Sequence, residues 1–154
     1  MSSNLPPIPE GFRPIAASSG FIGVNGPLYL RHVVREGGDL VHIGFRVEAR
    51  HANPMNNCHG GMLATFCDML LPLSIHRLSK EVGHRFLPTI NLQIDYLAPC
   101  PVGSWVQGEV QVLRVTRSLV FAQALVCADG TPAVRASGIF KIGQPFGGPE
   151  EPIG

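Results

Sequence analysis

Asn53-Pro54-Met55-Asn56-Asn57-Cys58-His59-Gly60-Gly61-Met62-Leu63-Ala64-Thr65-Phe66-Cys67-Asp68 is the stretch in which the chain passes from turn to helix. Asn53 to Cys58 carries turn chemistry, an Asn-Pro step followed by two more asparagines that can bond back to local backbone. After His59, the residues Met62, Leu63, Phe66, Met69, Leu70 and Leu73 recur at the spacing of one helix face, which predicts a helix from about His59 to Ser79. Asn56 or Asn57 is placed to cap it. Gly60 and Gly61 open the first turn, where N–H groups lack intrahelical partners and no side chain screens them. Such amides can receive an anion or a developing oxyanion.

Asp68 is a lone carboxylate among apolar neighbours, and burying an unpaired carboxylate is costly, so it needs a partner or a task. It cannot share one reacting atom with the Gly60 amide of its own helix. Eight residues of helix put the two about 12 Å apart along the axis and some 80° apart around it. If both act on one carbonyl, Asp68 comes from a second copy of the chain, and the site lies at a dimer interface.

Working outward, residues 1–20 are rich in Pro, Gly and Ser and read as a loosely held arm. A first strand is expected within 28–34. Val41, Ile43, Phe45 and Val47 alternate with polar residues as a half-buried strand, after a hairpin turn at Glu36-Gly37-Gly38-Asp39. Pro72 falls inside the helix and predicts a kink, since it removes the N–H that would bond the Asp68 carbonyl. Beyond the helix the period changes to two. Ile90, Leu92, Ile94 and Tyr96 form the apolar phase of a third strand, and Val106 to Val115 a fourth, with a bulge near Val112. Strands over 118–128 and 132–142 meet at an Asp129-Gly130 turn. The tail, 143–154, is again rich in Gly and Pro. Two strands, one long apolar helix and four strands in hairpin succession make an α+β domain over 21–142. In it an antiparallel sheet of about six strands wraps around one central helix.

Composition bounds the partners. The chain has 154 residues, 45% of them apolar, and a formal charge of +1, which supplies a core but no basic face for nucleic acid. It offers neither a membrane-length apolar stretch nor a secretion signal, so a cytoplasmic protein is expected. The four cysteines at 58, 67, 100 and 127 form no C-x-x-C pair and are expected to be free, buried thiols. The six histidines lack zinc-ligand spacing, and His42 and His51 are assigned to strand faces or ends rather than to a metal.

With Asn53 six residues before His59-Gly60-Gly61, and Asp68 nine residues after His59, the pattern resembles the signature of hotdog-fold acyl-CoA thioesterases. The resemblance is to their phenylacetate-degradation-type (4HBT) branch. The stretch Thr89-Ile90-Asn91-Leu92-Gln93-Ile94-Asp95-Tyr96-Leu97-Ala98-Pro99, followed by Gly103, resembles that family's strand after the helix. The likeness spans residues 28–142. It implies Asp68 as nucleophile or general base, and the Gly60 amide, with Gly61 beside it, polarising the thioester carbonyl. It further implies Asn53 orienting water or substrate, His59 as a positioning residue, and Thr89 as the hydroxyl of the strand after the helix, where relatives often carry Ser.

The resemblance implies no metal or cofactor, coenzyme A being part of the substrate, and homodimers that commonly pair into tetramers. Arg114 and Arg117 are candidates for the coenzyme A phosphates, as are Arg77, Lys80 and Arg85. Met62, Phe66 and Met69 are candidates for lining the acyl pocket. The competing expectations are a hotdog hydratase or dehydratase on acyl thioesters, and a non-catalytic acyl-CoA-binding or regulatory module. The carboxylate at Asp68 counts against the second.

Overall fold

The computed structural model describes residues 4–16 and 19–146. Its elements in chain order are β1 (Arg13–Pro14), α1 (Gly20–Asn25), β2 (Tyr29–Val33), β3 (Leu40–Arg46) and a 3-10 turn (Ala49–His51). These are followed by α2 (Gly60–Leu78), β4 (Thr89–Tyr96), β5 (Trp105–Val115), β6 (Leu119–Ala128) and β7 (Thr131–Lys141). All neighbouring strands pair antiparallel in one seven-stranded sheet of order β1-β2-β3-β5-β6-β7-β4.

The sheet wraps α2 because its strands present an apolar phase of period two to a helix that is apolar on most sides. Val41, Ile43 and Phe45 of β3, Val106 and Val110 of β5, Ala122, Ala124 and Val126 of β6, and Val134, Ala136 and Phe140 of β7 are all buried. They meet Leu63, Phe66, Leu70, Leu71, Leu73 and Ile75 of α2 in one core cluster. Two glycines let the helix lie close. A Cβ on Gly108 would stand 2.3 Å from Leu70 Cδ2, and one on Gly138 would stand 2.5 Å from Phe140 Cε2 and 3.0 Å from Leu71 Cδ1. This is the hotdog arrangement, a long helix gripped by a curved antiparallel sheet.

Several expectations are met in detail. The sheet register shifts between Val112 and Arg114, as the change of apolar phase predicts. Asp129 (φ 47°) and Gly130 (φ 84°) both take the left-handed backbone that a tight hairpin turn requires. The helix spans Gly60–Leu78, close to the expected His59 to Ser79, with Pro72 inside it.

Three expectations need correction. The sheet has a seventh strand, because part of the stretch read as a loose arm is folded down: β1 pairs with β2, and Phe12 and Ile15 are buried. Phe12 packs edge-on to Trp105 at 4.9 Å, and the Arg46 guanidinium donates to the Pro7 carbonyl at 2.6 Å. Apolar side chains on an otherwise irregular segment were enough to anchor it. Second, β4 does not form a hairpin with β5. It pairs with β7 at the sheet edge, while the Pro99–Pro101 region carries the chain across to β5 beside β3. Third, the apolar phase of β4 is only partly covered: Leu92 and Ile94 pack against the core, while Ile90 is 56% and Tyr96 54% exposed on a strand with one neighbour. Of the expected C-terminal tail, 147–154 lie outside the described residues, whereas Gly143 donates its N–H to the Phe86 carbonyl at 2.8 Å.

Candidate active site

The loop before α2 is built by Asn53. Its Oδ1 accepts from the N–H groups of Met55 (3.0 Å) and Asn57 (3.2 Å), tying the turn that delivers the chain to the helix. Asn56 takes φ 62°, a conformation asparagine tolerates better than most residues, so neither it nor Asn57 caps α2. The cap is His59, whose Nδ1 accepts from the Gly61 N–H at 2.8 Å. With Nδ1 accepting, the neutral ring carries its proton on Nε2. Met62 and Leu63 donate their N–H groups to the His59 carbonyl. The Gly61 amide is thus satisfied within the turn, and of the opening glycines only Gly60 has an N–H without a partner among the described residues.

Tyr96 completes this corner, a role that its place in the apolar phase of the strand does not reveal. Its hydroxyl donates to the Gly60 carbonyl at 2.7 Å, and its ring lies where a Gly60 side chain would begin, 3.4 Å from an added Cβ. The only available signal was a strand-end aromatic with a polar tip. Asn53, Asn57, Gly60, Tyr96 and Leu97 line a hollow of about 330 Å³, with Cys58 and Cys100 in its walls. Burial pushes the Cys58 thiol up to about 12 and Cys67 likewise, so both stay protonated at neutral pH, as do thiols in apolar surroundings generally.

Asp68 lies elsewhere. It is half-buried on α2 and accepts a hydrogen bond of 2.6 Å from the Thr89 hydroxyl at the start of β4, the partner that its apolar setting demanded. The two residues open onto a second cavity of about 240 Å³, lined also by Met69, Pro72, Leu73, His76, Phe86 and Phe146. The structure therefore forms two clusters, Asn53 with Gly60 and Asp68 with Thr89, and these do not share a cavity within one chain. Met62 is buried in the core cluster rather than lining either hollow. Arg114 and Arg117 are exposed at the far end of β5 and in the turn after it, Arg114 beside Lys80. Among the described residues no cluster of three or more His, Cys, Asp or Glu could hold a metal. No described helix is long and apolar enough to cross a membrane.

The comparisons agree with this architecture. A family model described as the thioesterase superfamily matches residues 55–134. The chain is 28% identical over 135 residues to "Putative esterase PA0474" of Pseudomonas aeruginosa, covering 88% of this chain and 97% of that one. It is 26% identical over 95 residues to mouse acyl-coenzyme A thioesterase 13, covering 60% and 64% of the two chains. Among solved structures, zebrafish thioesterase superfamily member 2 superposes with a TM-score of 0.69 at 25% identity, covering 83% of this chain and 90% of that one. A thioesterase protein of Streptococcus pneumoniae, titled hypothetical and solved with coenzyme A, superposes at 0.62 and 20% identity over 76% and 88%. The family match takes in α2, most of the loop before it, β4, β5, β6 and the start of β7, more than half of the chain, and by it this chain belongs to the thioesterase superfamily.

Proposed function

We propose that the protein hydrolyses an acyl-CoA thioester to the free acid and coenzyme A in a site shared by two subunits. One observation carries this reading. The only carboxylate on α2 accepts from the Thr89 hydroxyl beside one cavity, while Gly60, whose N–H has no partner among the described residues, lines a different hollow. A two-fold pairing through α2 and the β4 edge would bring the Asp68 of one subunit to the Gly60 of the other. That edge has the surface for it, with Ile90, Tyr96 and Leu97 all more than half exposed.

In this reading the Gly60 N–H donates to the thioester oxygen as negative charge develops there, the larger contribution in acyl transfer. Asp68 acts on the same carbonyl from the partner subunit. Attack by its carboxylate breaks the C–S bond and leaves an acyl-aspartyl anhydride that water then opens. Alternatively it takes the proton of an attacking water, and the proton passes to the departing thiolate. Both routes end with one acid and one thiol. The hollow beside Asn53 and Tyr96 would receive the coenzyme A arm, while Arg114 and Arg117 lie at the other end of β5, away from that hollow. The names of the mouse and Streptococcus relatives favour coenzyme A as the thiol.

The test is thiol release from phenylacetyl-, hydroxybenzoyl-, hexanoyl-, decanoyl- and palmitoyl-CoA, with Asp68→Asn in parallel. The variant should release no thiol from any of them while keeping the wild-type mass by light scattering. Turnover at the wild-type rate without the carboxylate would refute the assignment. Silence of the wild-type protein across the panel, with acyl-CoA still bound, would favour a binding module instead.

A further inference from the structure

The cavity beside Asp68 follows one stripe of α2, Asp68, Met69, Pro72, Leu73 and His76, about 12 Å of helix from first to last. Its polar groups lie at one end, where Thr89 meets Asp68. The other end is lined by rings. His76 is there, but its Nε2–H is taken by the Arg85 carbonyl at 2.6 Å, and burial pushes its pKa below the usual 6.5, so it forms a neutral wall. Phe146 stands against it with a ring-centroid distance of 5.9 Å, and against His84 at 4.8 Å and Phe86 at 6.0 Å.

Phe146 is held in place by a short antiparallel ribbon. Gly143 donates its N–H to the Phe86 carbonyl (2.8 Å), Phe86 donates to the Gln144 carbonyl (3.0 Å), and Phe146 donates to the His84 carbonyl (3.3 Å). On the far side lies a groove of about 500 Å³, lined by Arg85, Lys141, Ile142, Gly143, Gln144 and Pro145. Phe86, Pro88 and Phe146 line both hollows. The aromatic pair is a partition.

We infer that Phe146 is the specificity-determining residue of this protein: with Phe86 it ends the acyl site beside Asp68 and restricts the substrate to medium-chain or single-ring acyl groups. The inference rests on the thioesterase reading above. The occupant follows from the lining: an apolar, uncharged tail fits the neutral walls, and its carbonyl end belongs at Asp68 and Thr89. Longer chains would have to displace the ring to enter the outer groove.

The experiment measures kcat/KM for hexanoyl-, phenylacetyl-, decanoyl- and palmitoyl-CoA with the wild-type protein, Phe146→Ala and Phe146→Trp. Wild type should fall at least tenfold from hexanoyl to palmitoyl. Phe146→Ala, by joining the hollows, should raise the palmitoyl-to-hexanoyl ratio at least tenfold. Phe146→Trp keeps a ring on the ribbon and should lower the decanoyl-to-hexanoyl ratio, so the inference does not depend on one truncation. Active enzymes with the same chain-length profile in all three would overturn the partition and leave the thioesterase standing. No thiol release from any substrate by wild type would overturn the thioesterase reading and this inference with it.

Discussion

At the scale of single residues, the pair Asp68 and Thr89 was half legible. The sequence marked Asp68 as a carboxylate needing a partner, and Thr89 as a hydroxyl at a suggestive position. Only the fold, by laying the start of β4 along α2, brought them to 2.6 Å. Hydrogen bonds to a charged group are worth about 1.5–3 kcal/mol, and each 1.4 kcal/mol is tenfold in rate. Thr89→Val, which keeps the shape and removes the donor, should therefore cost roughly tenfold or more in kcat. Thr89→Ser should stay near the wild-type rate, and if both variants were equally slow the loss would be one of packing rather than of the hydrogen bond. Asn53 shows the opposite case. Its visible role is to tie the loop through Met55 and Asn57, which is what an Asn-Pro step predicts on its own.

At the scale of elements, the grip of the sheet on α2 depends on glycines where helix and strands are closest. An alanine Cβ at Gly108 would overlap Leu70, a core side chain with no room to retreat. Overpacking of this kind costs about 1–3 kcal/mol. Gly108→Ala should lower the melting temperature by roughly 3–10 °C, measured by circular dichroism or calorimetry. An unchanged melting temperature would mean that α2 can shift away from β5 without loss. The strands that alternate strictly were readable because period two leaves few options for a half-buried segment. β4 alternates just as well, yet its neighbour could not be read, because alternation states which face is apolar and not which strand lies alongside.

At the scale of the whole molecule, the separation of Gly60 from Asp68 is the main functional statement. It can be tested by mixing subunits. Gly60 is the first residue of α2, where proline is well tolerated, and His59 before it already has the extended backbone (φ −60°, ψ 138°) that a following proline requires. Gly60→Pro deletes one N–H at the helix start while also placing a ring against Tyr96, so its fold is checked by circular dichroism before mixing. Gly60→Pro and Asp68→Asn should each be inactive alone. After unfolding and refolding together they should recover activity, up to roughly a quarter of wild type, because every mixed dimer has one intact composite site. No recovery, with mixed dimers shown to form, would place both groups in one chain. A second whole-molecule consequence concerns acid. His42, His51 and His76 all have pKa values pushed below 6.5, chiefly by burial. Below pH 6.5 the unfolded chain binds protons that the folded chain still refuses, so stability is full above that pH and falls as the pH drops through the window beneath it. Thermal melts should show a lower midpoint at pH 5.5 than at pH 7.5, and a flat profile would contradict the buried, neutral state of these rings.

Local chemistry is what the sequence determined by itself: the helix after His59, the strand faces, the bulge near Val112, the Asp129-Gly130 turn and the need of Asp68 for a partner. Each follows from side-chain periodicity or from the backbone preferences of a few adjacent residues, and neither depends on distant parts of the chain. Tertiary structure alone decided that β4 takes the sheet edge, that Tyr96 closes over Gly60, that residues of the N-terminal arm join the sheet, and that Phe146 reaches the cavity beside Asp68. These contacts join residues far apart in sequence. They form because burying one continuous apolar core selects a single mutual arrangement of the elements, and no window along the chain contains that information.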